Sequence, residues 1–167
     1  MTKIAFCFPG QGSLEAGMGR EIALAVPAAM EVYERASEAS GLDLIRLCFE
    51  APEEELVHTE VQQPALVATS LAVLAALREN GFEPDVVVGH SVGEFAALAA
   101  SQALSNDDAI RLVRARGLAM AEAALGSTQR EVVFIHYARN PQVHAFGEMI
   151  SNWTKRFPQK FKAYVAY

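Results

Sequence analysis

The amino-acid sequence predicts an α/β fold with a parallel sheet, and three stretches carry that prediction. Three valines at residues 86–88 run into a Gly-x-Ser-x-Gly turn, and a helix-forming run follows at residues 95–100. Residues 3–8 form a short apolar run that stops at a Pro-Gly pair, which is the pattern of a buried strand. Near the C-terminus, residues 132–167 repeat the strand–helix–strand order and predict a βαβ-like tail.

The turn at residues 89–93 predicts a nucleophile elbow with Ser91 at its tip. A residue at such a tip is strained, with backbone packed on both sides, so Gly89 and Gly93 are expected to supply room. The helix that follows directs its positive end at Ser91, where it stabilises an oxyanion on an attacked carbonyl. A purely structural Gly-rich turn can have the same residue pattern, but the strand before this turn and the helix after it favour a nucleophile.

Helices are expected throughout the remainder of residues 1–127. The segments are residues 17–25, residues 27–40 with Pro27 at the start and Gly41 at the stop, a short turn at 43–49, a surface helix at 52–58, a long buried helix that opens at 62–65 and ends at Asn80-Gly81, and a helix capped by Ser105 and Asp108 that runs to about 124. The turn at residues 9–13 offers exposed amides for a ligand, or else is a plain strand-to-helix connection.

Arg116 lies within the predicted apolar stripe of the last of these helices. The stripe consists of Ala109, Val113 and Met120, with Leu112 beside them. A guanidinium there needs an anionic partner, so two interpretations stay open: a structural ion pair, and a bidentate clamp for a substrate carboxylate. Arg111 and Arg114 fall on the opposite side and are expected to be solvated, with an ion pair between Asp107 and Arg111.

Composition narrows the class of protein. The chain has 167 residues and a net charge of −6, which suits one domain or a domain plus a fragment and argues against nucleic acid as a partner. We expect no membrane span, no signal peptide and no metal site, and a cytoplasmic location. Cys7 and Cys48 are expected to be free, buried thiols.

Residues 128–167 differ in composition from residues 1–127. They hold six basic and two acidic residues, a balance of +4, whereas residues 1–127 hold 8 basic and 18 acidic residues, a balance of −10. Aromatic residues also concentrate there, so a boundary is expected at 127/128 between the N-terminal part and the tail. His136 and His144 in the tail are candidate general bases, although a strand-end and a surface histidine explain them as well.

Four separated motifs resemble, in order and spacing, the N-terminal part of malonyl-CoA:acyl-carrier-protein transacylases and related acyltransferase domains. They are Phe8-Pro9-Gly10-Gln11-Gly12-Ser13, Gln63-Pro64-Ala65, Gly89-His90-Ser91-Val92-Gly93-Glu94 and Arg116-Gly117. The resemblance covers residues 3–126 and implies the α/β-hydrolase-like core of an acyltransferase. It implies that malonyl-CoA and acyl carrier protein are the partners, with the CoA thioester as substrate and no further cofactor.

The resemblance also implies a role for each matched residue. Ser91 is the nucleophile that accepts malonyl as an ester and passes it to the phosphopantetheine thiol of the carrier protein. The backbone amides of Gln11 and Val92 form the oxyanion hole, and Arg116 pairs with the free malonyl carboxylate. His90 belongs to the substrate-binding residues and is not the base.

The chain departs from the family in its tail. The family's catalytic histidine lies farther downstream than this chain extends. Residues 133–146 instead partly resemble the nucleotide-binding part of flavohaemoglobin-type ferredoxin reductases, without the Gly-rich nucleotide turn. A fused or foreign segment and a divergent subdomain both account for such a tail.

Two other functions remain compatible with the elbow. An α/β-hydrolase-like esterase uses the same serine with water as the acceptor, but it needs no carboxylate clamp. A catalytically incomplete binder of carrier protein or CoA needs no general base.

Overall fold

A computed structural model describes residues 3–127, 132–137, 147–159 and 161–166. Contacts divide the chain into two compact units, Met1–Gly117 and Leu118–Tyr167. The boundary predicted at 127/128 is drawn from charge and aromatic content and not from contacts. It stays a prediction of where the N-terminal part ends and the tail begins.

The first unit is an α/β arrangement around a parallel pair of strands. Its elements are β1 (Ala5–Phe8), α1 (Arg20–Ala25), α2 (Pro27–Ser40), α3 (Leu44–Phe49), α4 (Glu53–Leu56), α5 (Thr59–Glu79), β2 (Val86–Gly89), α6 (Gly93–Ala100) and α7 (Asn106–Ser127), the last of which continues into the second unit. Strands β1 and β2 pair in parallel, from Ala5 opposite Val86 to Phe8 opposite Gly89. The predicted α/β class with a parallel sheet is therefore confirmed.

Local signals set the ends of several helices. Pro27 is the first residue of α2, and Gly41 ends that helix with a φ of 70°, as predicted. Helix α1 begins at Arg20 rather than at residue 17, because Gly17 and Gly19 have φ values of 81° and 83° that a right-handed helix does not allow.

Helix α5 begins three residues earlier than the sequence indicates. It starts at Thr59, so Pro64 lies inside it as the sixth residue and not at its opening. The predicted burial is confirmed, since most of its side chains are shielded from solvent. The expectation that no apolar run is long enough to cross a membrane is wrong, because α5 is long and apolar enough by length and composition alone. However, 83% of its apolar window is buried inside the structure. Such burial is typical of the core helix of a globular domain.

The two strands of the first unit are less buried than the sequence predicts. Val86 and Val88 are 52% and 53% exposed, and their register partners Ala5 and Cys7 are exposed with them. Helix α6 packs against both strands, but no element in the described part of this unit covers the opposite face. Parallel strands normally have both faces covered, and their sequences are therefore apolar throughout. The apolar residues of β1 and β2 fit such a strand pair, but the described part of this unit covers only one of its faces.

A buried polar cluster joins α2, α3 and α5. The Tyr33 hydroxyl donates to Oγ1 of Thr69 at 2.8 Å, and the Thr69 hydroxyl donates to the backbone carbonyl of Ala65 at 2.9 Å. Cys48 is fully buried beside Thr69, and burial raises the pKa of its thiol to about 12. Both cysteines are free, but Cys7 is exposed on the open sheet face, which corrects the expectation that both are buried.

The second unit contains the predicted βαβ order. Strand β3 (Val132–Tyr137), helix α8 (Gly147–Arg156) and strand β4 (Phe161–Ala166) follow one another, and the strands pair in parallel. Trp153 of α8 packs edge-on against Phe161, with ring centroids 5.6 Å apart. The sequence predicts a helix from residue 142, whereas α8 begins at Gly147 in the described part of the chain and residues 138–146 lie outside it.

The two thiols are expected to react at very different rates. In native protein at pH 8 a chromogenic disulfide reagent should modify Cys7 rapidly, because it is exposed, and Cys48 only after denaturant is added, because it is buried with a pKa near 12. The Cys7→Ser variant should lose the rapid phase. Two rapid phases in the native protein would contradict the buried position of Cys48.

Candidate active site

Ser91 occupies a strained turn between β2 and α6. Its φ is 53°, in the left-handed region that side chains other than glycine rarely adopt. The His90 N–H donates to the carbonyl of Phe8 at 3.0 Å, and the Glu94 N–H donates to the carbonyl of Ser91 at 3.1 Å. These bonds tie the turn to the end of β1 and to the first turn of α6, and they leave Ser91 exposed at the tip. The strand–turn–helix elbow predicted from the sequence is present.

Two glycines make the elbow sterically possible. A Cβ on Gly89 would collide with the backbone of Gly93 and Glu94, and a Cβ on Gly93 would collide with the carbonyl oxygens of Phe8 and Pro9. The predicted role of both glycines is thus supported by the packing around them. The approach is close because the end of β1 and the start of α6 lie directly against each other.

The loop after β1 packs against the same elbow. Gly10 is buried, and a Cβ there would collide with Nδ1 of His90. The next residue, Gln11, is exposed at the start of a turn completed by Gly12, whose φ is 95°. This packing brings the backbone of the loop beside the turn that holds Ser91.

Two backbone N–H groups lie in the segments that form the candidate site, that of the exposed Gln11 and that of the fully buried Val92. The N–H groups of Gln11 and Val92 have no acceptor among the residues that the structure describes. Val92 immediately precedes α6, where a helix presents its unpaired N–H groups and its partial positive charge. Backbone N–H donors of this kind make up an oxyanion hole, and the assignment of Gln11 and Val92 to one stays a prediction.

A hydrogen-bonded chain links Arg116 to Gln11. Nη1 of Arg116 donates to Oε1 of Gln63 at 2.6 Å. Nε2 of Gln63 donates to Oε1 of Gln11 at 3.2 Å and to Oγ1 of Thr59 at 2.7 Å. The Thr59 hydroxyl donates to the same Gln11 oxygen at 3.1 Å. Sequence reasoning noted the Gln63-Pro64-Ala65 motif without a role for its side chains, and it found no signal at Thr59.

The buried face of α7 differs from the predicted stripe. Its buried residues are Ala109, Ile110, Val113 and Gly117, whereas Leu112 and Met120 are 48% and 42% exposed. The face turns because Gly117 lets α7 approach α5 closely: a Cβ there would lie 2.8 Å from Cα of Glu60. The prediction from hydrophobicity counts Met120 and Leu112 as buried because they are apolar, and it cannot identify Gly117 as a contact between helices.

Arg116 therefore sits half-buried beside the stripe and not inside it. Within the described parts of the chain no carboxylate lies within ion-pair distance of it, and the group that it does contact is the neutral amide of Gln63. A guanidinium has five N–H donors, so donors remain for an anionic ligand.

The other charged groups of α7 pair differently from the prediction. Arg111 contacts Asp108 at 3.1 Å and not Asp107, and Asp107 instead contacts Arg35 of α2 at 2.9 Å. The predicted cap at Ser105 is confirmed, since the Asp108 N–H donates to Oγ of Ser105 at 3.1 Å. Hydrogen bonds from Ser105 and Arg111 hold the pKa of the Asp108 carboxyl below its usual range.

Arg114 is half-buried and hydrogen-bonded, and not solvated as predicted. Its Nη1 donates to the backbone carbonyl of Glu60 at 2.7 Å. Burial lowers the pKa of the Arg114 guanidinium, and the charge of Glu60 acts in the opposite direction. The wheel prediction failed because it placed Arg114 on a free surface, whereas α5 covers that side of α7.

Among the residues that the structure describes, no general base contacts Ser91. Its Oγ has no hydrogen-bond partner among residues 3–127 or the other described ranges, and His90, which is exposed, packs against Gly10. His136 lies in β3 with a side chain outside the description, and His144 lies outside the described residues. A general base from the tail stays a prediction. The described residues contain no group of three or more His, Cys, Asp or Glu side chains placed to hold a metal.

Known proteins match the part of the chain that contains the elbow. Residues 5–133 match the family model of the acyl transferase domain. The chain belongs to this family. It is 50% identical over 123 residues to the malonyl CoA-acyl carrier protein transacylase of Bacillus subtilis (strain 168), covering 74% of this chain and 39% of that protein.

Solved structures of acyltransferases resemble the same region. A malonyl-transacylase in complex with a type II polyketide synthase acyl-carrier protein matches with a TM-score of 0.69 and 41% identity, over 73% of this chain and 40% of that one. The transacylase of Clostridium perfringens ATCC 13124 matches with a TM-score of 0.68 and 34% identity, over 91% of this chain and 48% of that one. The chain spans about 40% of the length of the curated relatives it matches. Because the Clostridium match covers 91% of this chain, it includes part of the tail, whose resemblance to reductases stays a prediction.

The acyltransferase elbow should not tolerate a side chain at either of its glycines. Gly89→Ala and Gly93→Ala are expected to lower the free energy of unfolding by about 2 kcal/mol or more, since each new methyl group meets backbone that cannot move aside. Urea unfolding measures the change.

Gly126→Ala is the matched control for this test. Gly126 lies in α7 with open space around it, so the substitution should raise stability by up to about 1 kcal/mol. Equal, small effects at all three positions would show that the elbow is not closely packed.

Proposed function

We propose that this chain transfers a malonyl group from CoA to the phosphopantetheine thiol of an acyl carrier protein through an ester on Ser91. The observation that carries the proposal is the hydrogen-bonded chain from Arg116 through Gln63 to Gln11, which joins a carboxylate-binding group to an oxyanion-binding loop beside an exposed serine. Two relatives named malonyl CoA-acyl carrier protein transacylases are 50% and 42% identical to the matched region, which supports the same substrate class.

The reaction consists of two acyl transfers through one serine. Oγ of Ser91 attacks the thioester carbonyl, and the oxyanion that forms accepts hydrogen bonds from the N–H groups of Gln11 and Val92. The C–S bond breaks, CoA leaves as the thiol, and the malonyl ester remains on Ser91. The carrier thiol then attacks the ester, and Ser91 recovers its proton as the malonyl thioester leaves, which is a ping-pong scheme.

Arg116 would select malonyl over uncharged acyl groups. One N–H of its guanidinium is held by Gln63, which fixes the plane of the group and leaves further donors for the two carboxylate oxygens. The Gln63 amide is fully buried, so its orientation is set by Thr59 and Gln11 and does not fluctuate with solvent.

The proposed reaction also implies the partners, the cofactor requirement and the location of this chain. CoA thioester and carrier protein are the partners, no further cofactor takes part, and neither nucleic acid nor a membrane is involved. We place the activity in the cytoplasm, where malonyl-CoA would be available. One solved relative is a complex of a malonyl-transacylase with an acyl-carrier protein, which supports a carrier protein as acceptor.

A second candidate is a catalytically incomplete binder of CoA or carrier protein. It is favoured by one observation, that Ser91 has no basic partner among the described residues. An esterase is less well supported, because the contact between Arg116 and Gln63 has no use in plain ester hydrolysis. Covalent labelling separates the transferase from the binder.

Ser91 should acquire a covalent malonyl group. A pulse of radiolabelled malonyl-CoA is expected to label the wild-type chain and not Ser91→Ala, because the ester forms on its Oγ. Intact-mass spectrometry should show one added malonyl group. Ser101→Ala, at the exposed C-terminal end of α6, is the matched control and should be labelled like the wild type. An unlabelled wild-type chain that still binds CoA would favour the binder.

Arg116→Ala should remove the preference for malonyl. We expect labelling by malonyl-CoA to slow at least tenfold while labelling by acetyl-CoA changes little, since a charged hydrogen bond of about 1.5–3 kcal/mol is lost for malonyl alone. Arg111→Ala, on the exposed side of the same helix, should leave the ratio unchanged. An unaltered ratio in Arg116→Ala would exclude the carboxylate clamp.

A further inference from the structure

Pro64 leaves one backbone carbonyl of α5 without its helical donor. In an α-helix the N–H of residue 64 would donate to the carbonyl of residue 60, and proline has no N–H. Pro64 is the sixth residue of α5, and Glu60 is the second. Glu60 is only 3% exposed, so water does not easily replace the missing donor.

Arg114 of α7 supplies a donor to that carbonyl. Its Nη1 lies 2.7 Å from the Glu60 oxygen. Burial of this guanidinium opposes its charge, so the arrangement persists only with good acceptors around it. The negative charge of the Glu60 side chain favours the charged guanidinium, and the backbone carbonyl of the same residue accepts its hydrogen bond.

The turn that Arg114 contacts is the one that organises the candidate site. Thr59 and Gln63, on either side of Glu60, bind the side chain of Gln11, and Gln63 also accepts from Arg116. Gly117 brings α7 against the same turn, since a Cβ there would lie 3.0 Å from the Thr59 carbonyl oxygen. The first turn of α5 is thus held by α7 on one side and holds the Gln11 loop on the other.

We propose that Arg114 is a positioning residue: by donating to the Glu60 carbonyl that Pro64 leaves free, it fixes the first turn of α5 and thereby orients Gln63 between Arg116 and Gln11. Arg114 itself does not touch the substrate. Its effect on acyl preference rests on the proposed malonyl transfer, whereas its effect on Gln63 does not.

The proposal predicts that Pro64→Ala makes Arg114 dispensable. Alanine restores the N–H at position 64, which then donates to the Glu60 carbonyl within the helix. Arg114→Met keeps the apolar stem and removes the donors, Arg114→Lys keeps a donor, and the double variant Pro64→Ala with Arg114→Met combines the two changes.

The first readout is the side-chain amide resonances of Gln63 and Gln11 in a ¹⁵N correlation spectrum, assigned with Gln63→Met and Gln11→Met. Arg114→Met should shift both, Arg114→Lys should shift them less, and the double variant should return them towards the positions in Pro64→Ala alone. Urea unfolding of the same variants reports whether each one folds. Arg111→Met is the control and should leave the resonances in place.

The second readout is the ratio of malonyl to acetyl labelling of Ser91. Arg114→Met should lower this ratio several-fold, because the Glu60 carbonyl loses its charge-assisted hydrogen bond. The double variant should recover the ratio, because the N–H of residue 64 then donates to that carbonyl within the helix. Unmoved Gln63 and Gln11 resonances in folded Arg114→Met would overturn the proposal. Shifted resonances with no labelling of the wild type would uphold the positioning role and defeat the proposed function, and shifted resonances with an unchanged ratio would confine Arg114 to a structural role.

Discussion

The close approach of three backbone segments at the elbow is the constraint on which the site depends. The end of β1, the turn at Ser91 and the start of α6 lie so near one another that a methyl group on Gly89 or Gly93 has no space. The contact forces Ser91 into a φ of 53°, and the same hydrogen bond that ties His90 to Phe8 fixes where the loop after β1 begins. A serine in a relaxed conformation would not stand at the tip of the turn with a helix N-terminus behind it.

The remainder of the site follows from that loop. Gln11 lies two residues beyond the segment that packs on Gly93, and its side chain is held by Thr59 and Gln63 of α5. Gln63 in turn holds Arg116 of α7. An amide side chain suits the central position because it donates and accepts at once, and it joins Arg116 to Gln11 without introducing a charge that would compete with an anionic ligand.

The features that could be predicted from the sequence are those with a cause within a few residues. The elbow, the start of α2 at Pro27, its stop at Gly41 and the Ser105 cap each depend on one turn of chain. Other features depend on distant partners. Cys7 and Cys48 look alike in sequence, but one faces an uncovered strand surface and the other the core. The Gln63 contacts to Arg116 and Gln11 connect residues about 50 apart, for which periodicity carries no signal.

Arg114 and Arg116 show why residue type alone does not assign a role. They lie two positions apart on one helix, and both donate to the first turn of α5. Arg114 reaches a main-chain carbonyl that a proline has left free, and the charge of Glu60 favours the charged guanidinium there although burial opposes it. Arg116 reaches a neutral side chain and keeps donors for another acceptor. The difference originates in Pro64, because a helix without that proline would satisfy the Glu60 carbonyl itself and would have no need of the first arginine.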